Sequence, residues 1–146
     1  MKKTFYHTIL VPVESSEYDK VILDHIVPLA QQYGSKLILI HVADGWAARY
    51  FREEADSPEV RDDRRYLQEL AEKLRKDGLE VETILEFGDP GEEIIKLAQA
   101  RNCDLIAMTT HGHRFISDVL FGSAVRKVRH SVDIPILLLR GHRPKR

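Results

Sequence analysis

The stretch from Met108 to Val128, MTTHGHRFISDVLFGSAVRKV, governs the interpretation of the whole chain. It leaves an apolar run that predicts a buried strand, turns at Gly112, and reaches Gly122-Ser123 just before an amphipathic helical run. Glycines let a ligand approach the backbone closely, and a helix N-terminus offers unpaired N–H groups to an anion. The pattern predicts a phosphate site, with the Ser123 hydroxyl as a further donor. On spacing alone, Gly112 could equally be a turn residue and Gly122 a close-packing one.

Length and composition fit one globular domain over residues 1–146. The hydrophobic content of 43% and the charged content of 31% are ordinary, and the net charge of −1 gives no footprint for nucleic acid. The single cysteine, Cys103, excludes an internal disulfide and fits a reducing compartment. No apolar run is long enough to cross a membrane or to form a signal peptide. We therefore expect a cytoplasmic protein without nucleic-acid or membrane partners.

Apolar runs of strand length alternate with helical patterns along the chain. Strands are predicted at residues 8–13, 36–42, 80–86, 104–109 and 134–139. Helices are predicted from an N-cap at Ser15 or Ser16 to Gly34, from an N-cap at Ser57 to Gly78, over residues 92–100, and after Gly122-Ser123. This alternation predicts an α/β fold with an open five-stranded parallel sheet and helices on both faces.

Ligands of such sheets bind beyond the carboxyl ends of the strands, where the strand order reverses. If the order is 3-2-1-4-5, that point lies between the first and fourth strands. The strand ends there carry Val13-Glu14-Ser15 and Thr109-Thr110-His111-Gly112. The glycine-containing stretch therefore falls where a ligand is expected.

Several motifs together resemble the universal stress protein family. They are Ile9-Leu10-Val11-Pro12-Val13, Gly88-Asp89-Pro90, Asp104-Leu105-Ile106-Ala107-Met108, a Thr-His-Gly followed by Gly-Ser before the last helix, and Ile134-Pro135-Ile136-Leu137-Leu138. The resemblance covers essentially all of the chain. It implies the 3-2-1-4-5 order, an adenine-nucleotide α-hydrolase-like fold, and membership in either an ATP-binding or a non-binding group.

The ATP-binding group has the pattern Gly, two residues, Gly, nine residues, Gly and then Ser or Thr. Gly112 and Gly122-Ser123 match it, whereas Thr109 replaces the first glycine and places a Cβ near the expected ribose and phosphates. Glu14-Ser15 replaces the usual Asp-Gly after the first strand. His113 stands where a permanently charged basic residue is common, and Arg114 beside it can restore the attraction for phosphate.

By this resemblance, the chain would bind ATP, or less tightly AMP or ADP, with Mg²⁺ arriving on the phosphates. The residues that would surround the nucleotide are Pro12, Val13 and Val42 at the adenine, Glu14 at the ribose, and Met108, Thr109, His111, Gly112, His113, Arg114, Gly122, Ser123 and Ala124 around the ribose and phosphates. Glu14 has a simpler alternative role, as an acid near a helix N-terminus.

Three functions remain open. The first is a nucleotide-modulated regulator of the stress response, dimeric through the exposed edge of the last strand at Ile136–Leu139. The second is a family member that does not bind nucleotide and works as a structural or interaction protein, to which Thr109, Glu14 and Ser15 point. The third is an adenylate-transferring enzyme with a substrate pocket in the Trp46–Phe51 loop.

Catalytic and metal signals are weak. No nucleophile–base pair and no Walker-type loop stands out, so we expect at most a slow ATPase. His111 and His113 resemble half of a zinc site, but Cys103 lies at the other end of the strand and no other ligand spacing is present, so we expect no metal site. His41, at the end of an apolar strand, is expected to be a hydrogen-bonded core histidine, and Cys103 a small packed residue.

Overall fold

A computed structural model of the chain describes residues 5–43, 57–111 and 116–141, without the side chains of residues 111 and 116–122. The described elements alternate between strands and helices, as the sequence predicts. They are β1 (Thr8–Pro12), α1 (Asp19–Tyr33), β2 (Lys36–Ala43), α2 (Pro58–Lys76), β3 (Glu80–Phe87), α3 (Pro90–Ala100), β4 (Leu105–His111), α4 (Ile116–Ser131) and β5 (Ile136–Gly141).

The five strands form one parallel sheet in the order β3-β2-β1-β4-β5, so the predicted fold class and strand order are confirmed. The central strand β1 is apolar on both faces because helices cover the sheet on both sides. β3 is an edge strand, which is the position that its alternating sequence predicts, although residues 82–86 are all partly exposed and do not alternate in burial.

Two hydrophobic layers enclose the sheet. Odd-numbered residues of β1, such as Ile9 and Val11, pack with α1 and α2, whereas Leu10 packs with α3 and α4 on the other face. Cys103 is a buried free cysteine in the second layer, and burial raises the pKa of its thiol to about 11. It is a packed and unreactive residue, as its sequence context indicates.

Side-chain caps fix the starts of two helices. The Ser57 hydroxyl accepts a hydrogen bond from the Val60 amide at 3.2 Å at the start of α2, which confirms the predicted N-cap. The Asp89 carboxylate does the same for Glu92 at 3.0 Å, so α3 begins at Pro90, two residues before the predicted start.

Two predicted helix starts were wrong. α1 begins at Asp19, and neither Ser15 nor Ser16 is its N-cap. The reason is that the Asp19 carboxylate accepts from the amides of the preceding loop, which holds that loop outside the helix. α4 begins at Ile116, so Gly122 and Ser123 lie inside the helix and not at its N-terminus. Residues 116–121 contain no glycine or proline, so nothing in them prevents the helix from starting earlier.

Within the residues described, no helix is long and apolar enough to cross a lipid bilayer.

Candidate functional site

β1 and β4 stop pairing before the carboxyl edge of the sheet, and the place between their carboxyl ends is called the crevice here. These two strands pair only at Ile9–Leu105 and Leu10–Ile106, near their amino ends, whereas β1 and β2 pair along five residues. The strand order reverses at this point, since β2 follows β1 on one side and β4 flanks it on the other. Parallel sheets bind ligands at such a place, so the geometry supports the predicted location of the site.

The chain leaves β1 through a tight turn of residues 13–16. Ser15 in this turn has a φ of 58°, in the left-handed region that favours glycine. The Asp19 carboxylate accepts hydrogen bonds from the amides of Glu14 at 2.9 Å and Ser16 at 3.2 Å. The Val13 amide donates to the Ile40 carbonyl of β2 at 2.8 Å. The backbone of the 13–16 turn is therefore fixed before any ligand arrives.

Asp19 is a buried carboxylate at the head of α1. Only 3% of the residue is exposed, and the Tyr66 hydroxyl donates to it at 2.6 Å from α2. Burial raises the pKa of Asp19, and the hydrogen bonds from Tyr66 and the two amides offset part of that rise. Burial and the neighbouring Asp19 carboxylate raise the pKa of Tyr66 as well, so its hydroxyl stays a donor.

His41 links β2, β1 and α2. Its Nδ1 lies 2.8 Å from the Val13 carbonyl oxygen, and its Nε2 lies 3.1 Å from the Asp63 carboxylate of α2. The ring has a partner on each nitrogen, which confirms the prediction of a hydrogen-bonded histidine. The sequence did not predict the partner of this ring: His41 contacts the backbone of Val13, the first residue of the 13–16 turn.

The structure brings most of the described site residues to the two sides of the crevice. Pro12 and Val13 end β1, the partly buried Glu14 follows in the turn, and Val42 lies near the end of the neighbouring β2. Met108 and Thr109 lie buried near the end of β4. On α4, Ser123 is exposed and Ala124 is 2% exposed.

Thr109 has a buried hydroxyl without a hydrogen-bond partner among the described residues. The residue is only 4% exposed and pairs with Leu139 of β5, and strand alternation puts its side chain on the face of Ala107. Buried hydroxyls are normally satisfied, so this oxygen keeps unused hydrogen-bonding capacity within the described part of the chain.

The remaining predicted residues cannot be placed. Gly112, His113 and Arg114 lie outside the described residues, as does the Trp46–Phe51 loop, and the side chain of His111 is not described. The two histidines that resemble half of a zinc site, His111 and His113, therefore cannot be compared with that pattern. No group of three metal-ligating side chains occurs within the residues that are described.

Sequence reasoning missed Asp19, Asp63 and Tyr66. Asp63 and Tyr66 lie in a mixed charged stretch that is typical of a solvated helix, and Tyr66 is separated from Asp19 by 47 residues. The available signal was the spacing of Asp63 and Tyr66, which places both on one face of α2.

A groove of about 650 Å³ lies between α1 and α2 and reaches Ser15 and Ser16 of the 13–16 turn. Its lining includes apolar side chains such as Leu23, Val27 and Leu70 and charged side chains of both signs, such as Lys20 and Asp77. None of the predicted nucleotide-site residues lines it, but Ser15, Ser16 and Tyr66 do, so the groove adjoins the turn at the candidate site.

Comparison with known proteins gives consistent matches over nearly the whole chain. A family model described as the universal stress protein family matches residues 5–140. The chain is 24% identical over 154 residues to universal stress protein MJ0577 of Methanocaldococcus jannaschii, covering 92% of this chain and 95% of the relative. It is 24% identical over 147 residues to universal stress protein YxiE of Bacillus subtilis, covering 92% and 99%.

Solved structures show the same fold. The structure of MJ0577 matches with a TM-score of 0.79 at 26% identity, covering 96% of this chain and 99% of that one. A universal stress protein in complex with cAMP matches with a TM-score of 0.70 at 20% identity, covering 93% and 98%. The Archaeoglobus fulgidus universal stress protein in complex with dAMP matches with a TM-score of 0.68 at 20% identity, covering 92% and 98%.

Proposed function

Since the chain belongs to the universal stress protein family, we propose that it binds an adenine nucleotide in the crevice between β1 and β4. Its role would be that of a nucleotide-modulated regulator in the stress response. The observation that carries the proposal is the pre-formed 13–16 turn at the point where the strand order reverses. Two proteins of the same fold are solved in complex with cAMP and with dAMP, which supports adenosine phosphates as the ligand class.

The described residues offer groups of the right chemistry for such a ligand. Pro12, Val13 and Val42 supply apolar surface for the adenine ring, and the Glu14 carboxylate is an acceptor suited to a ribose hydroxyl. The Thr109 hydroxyl, which has no hydrogen-bond partner among the described residues, is a further polar group near the end of β4. ATP is our preferred nucleotide, with AMP or ADP as weaker ligands, and Mg²⁺ would be held mainly by phosphate oxygens and water.

Calorimetric titration of nucleotide-stripped protein tests this proposal. ATP with Mg²⁺, ADP and AMP are titrated into the natural chain and into Glu14→Gln, with Glu17→Gln as the matched control in the same loop. We expect saturable binding that Glu14→Gln weakens about tenfold, because a hydrogen bond to a charged acceptor is worth about 1.5–3 kcal/mol. Absence of heat up to millimolar nucleotide, with the protein folded, would overturn the proposal.

We also propose that two copies associate through β5. This strand lies at the edge of the sheet that the described residues form, so one side of its backbone has no strand beside it in that part of the chain, and Leu138 is 40% exposed. The segment Ile136–Leu139 would form the centre of the contact. Light scattering of the natural chain and of Leu138→Glu tests this: we expect a dimer that becomes a monomer, and a monomeric natural chain would contradict it.

One observation favours a second candidate function, that of a family member without nucleotide. Thr109 fills a buried position in β4 where the ATP-binding motif has glycine. If its Cβ excludes the ribose, the chain would act through its dimer and through protein partners. Thr109→Gly distinguishes the two candidates, because nucleotide binding that appears only in this variant would establish the second.

A further inference from the structure

Helix α2 reaches the 13–16 turn through two side chains on one of its faces. Asp63 and Tyr66 are three residues apart, so they project from the same side of the helix. The Tyr66 hydroxyl donates to Asp19 at 2.6 Å, and the Asp63 carboxylate lies 3.1 Å from Nε2 of His41. Neither α2 residue belongs to the turn or to its strands, so both act on the crevice through an intermediate side chain.

The two connections end on the same peptide group. His41 Nδ1 lies 2.8 Å from the carbonyl oxygen of Val13, and Asp19 accepts from the amide of Glu14 at 2.9 Å. This carbonyl and this amide belong to the one peptide unit that joins Val13 to Glu14. Holding the unit at both ends fixes the direction in which the Glu14 side chain leaves the backbone.

The connection through His41 depends on a proton. A carbonyl oxygen only accepts, so Nδ1 must carry hydrogen to bond Val13, and an ionised Asp63 likewise requires hydrogen on Nε2. Both bonds are therefore complete only when His41 is an imidazolium. When the ring loses a proton, one of the two bonds is lost and the hold on the peptide unit weakens.

We propose that Asp63 and Tyr66 are positioning residues for nucleotide binding, acting through His41 and Asp19 on the Val13–Glu14 peptide unit. This inference rests on the proposed adenine-nucleotide site and adds a regulatory property to it. Because the imidazolium form of His41 completes the hold, nucleotide binds more tightly when the ring is protonated. Affinity therefore decreases when a rise in pH removes the proton from the ring.

The described groups that face this connection are three carboxylates and a phenol. They are the carboxylates of Asp63 on α2 and Asp19 on α1, with Glu14 and the Tyr66 phenol beside Asp19.

Calorimetry with cAMP as the probe tests the inference. The phosphodiester of cAMP has no proton that titrates between about pH 6 and about pH 8, so a pH effect comes from the protein. Asp63→Asn is compared with Asp62→Asn, a matched control whose side chain is 74% exposed. From about pH 6 to about pH 8, we expect the affinity of the natural chain for cAMP to fall. Asp63→Asn should bind cAMP about fivefold more weakly than the natural chain at about pH 6, with no further fall at about pH 8. Asp62→Asn should match the natural chain at both pH values.

A second variant and a second measurement separate positioning from loss of folding. Tyr66→Phe should weaken cAMP about threefold at both pH values and leave the pH dependence intact, because the His41 connection is untouched. Nitrogen NMR of the natural chain should show that saturating cAMP keeps both His41 nitrogens protonated to higher pH, since binding and protonation are reciprocally linked.

The outcomes distinguish the inference from the function on which it rests. If the natural chain binds neither cAMP nor any other adenine nucleotide, the proposed function fails and the inference fails with it. If the natural chain binds and Asp63→Asn retains its affinity and pH dependence, only the inference is overturned. Unchanged His41 protonation on binding overturns it as well, even where Asp63→Asn does not fold.

Discussion

At each end of β1 the chain turns through a residue in the left-handed conformation, Tyr6 with a φ of 57° before the strand and Ser15 with a φ of 58° after it. At each end, an aspartate also accepts hydrogen bonds from two backbone amides beside the left-handed residue. Asp104 holds those of His7 and Thr8 at 2.6 and 2.9 Å, and Asp19 holds those of Glu14 and Ser16.

A side chain in or next to β2 contacts a backbone carbonyl at each end of β1. Buried Ser35, just before β2, donates its hydroxyl to the Tyr6 carbonyl, and His41 near the other end of β2 contacts the Val13 carbonyl. The two ends of the central strand thus share three features: a left-handed residue, an aspartate that accepts from two amides, and a side chain in or next to β2 that contacts a carbonyl.

Burial is what distinguishes the two ends. Asp104 is partly exposed, whereas Asp19 is 3% exposed and covered by Tyr66. At the carboxyl end the Ser15 hydroxyl is buried without a hydrogen-bond partner in the described chain. The amino end is therefore ordinary scaffolding, while the carboxyl end keeps a buried carboxyl group and a buried hydroxyl where a ligand is expected.

The largest contrast should come from removing the two aspartates. Asp19→Ala leaves two amides and the Tyr66 hydroxyl without their acceptor, so we expect a loss of about 3 kcal/mol in the free energy of unfolding. Asp104→Ala should lose about 1 kcal/mol, because water reaches the amides that it releases. Urea unfolding measures both, and equal losses would show that burial does not separate the two ends.

The second contrast is in pH dependence. Burial raises the pKa of Asp19, so the folded chain keeps the proton at pH values where the unfolded chain has lost it. Between those two pKa values the folded state binds more protons, and the free energy of unfolding falls as the pH rises, by at most about 1.4 kcal/mol per pH unit.

Urea unfolding from about pH 4 upward, for the natural chain and Asp19→Asn, measures this contribution. The side-chain amide of this variant cannot titrate, so the variant should lose less stability over the rise. Parallel curves for the two proteins would mean that Asp19 is ionised throughout in the folded chain.

The fold was predictable from local patterns, because each strand and helix contains its own hydrophobic period. Ser57 illustrates this, since its N-cap role depends only on residues within the next turn. The start of α4 was not predictable in this way, because Gly122 resembles a boundary and is tolerated inside the helix.

The site was only partly predictable. Its proposed place follows from the strand order, and the candidate residues at the ends of β1 and β4 come from the family motif. The support from α2 could not be inferred, because the contact between Tyr66 and Asp19 joins residues 47 apart and exists only once α2 packs on the sheet. The role of Asp19 as the acceptor for the turn was hidden for the same reason, and Ser15 or Ser16 appeared the better cap.

A third contrast separates stability from binding. Ser35→Ala removes the donor to the Tyr6 carbonyl in a buried setting, and we expect a loss of about 1.5 kcal/mol in the free energy of unfolding. Nucleotide affinity should not change, because this contact lies at the amino end. A calorimetric titration in which Ser35→Ala weakens cAMP as much as Asp63→Asn would contradict the division between the two ends.

The smallest effect concerns the two left-handed residues, and here the ends should respond with opposite signs. Ser15→Gly relieves the left-handed strain and removes a buried hydroxyl that lacks a partner among the described residues, so we expect a gain of about 1 kcal/mol in the free energy of unfolding. Tyr6→Gly relieves the same strain but loses a ring that packs edge-on against Tyr33 at 5.6 Å, so a net loss of about 1 kcal/mol should follow. Urea unfolding of both variants, with cAMP titration of Ser15→Gly, tests the pair. A stabilised Ser15→Gly with unchanged affinity would show that the glycine usual at this position serves the backbone of the turn, whereas weaker binding would assign the buried Ser15 hydroxyl to the ligand.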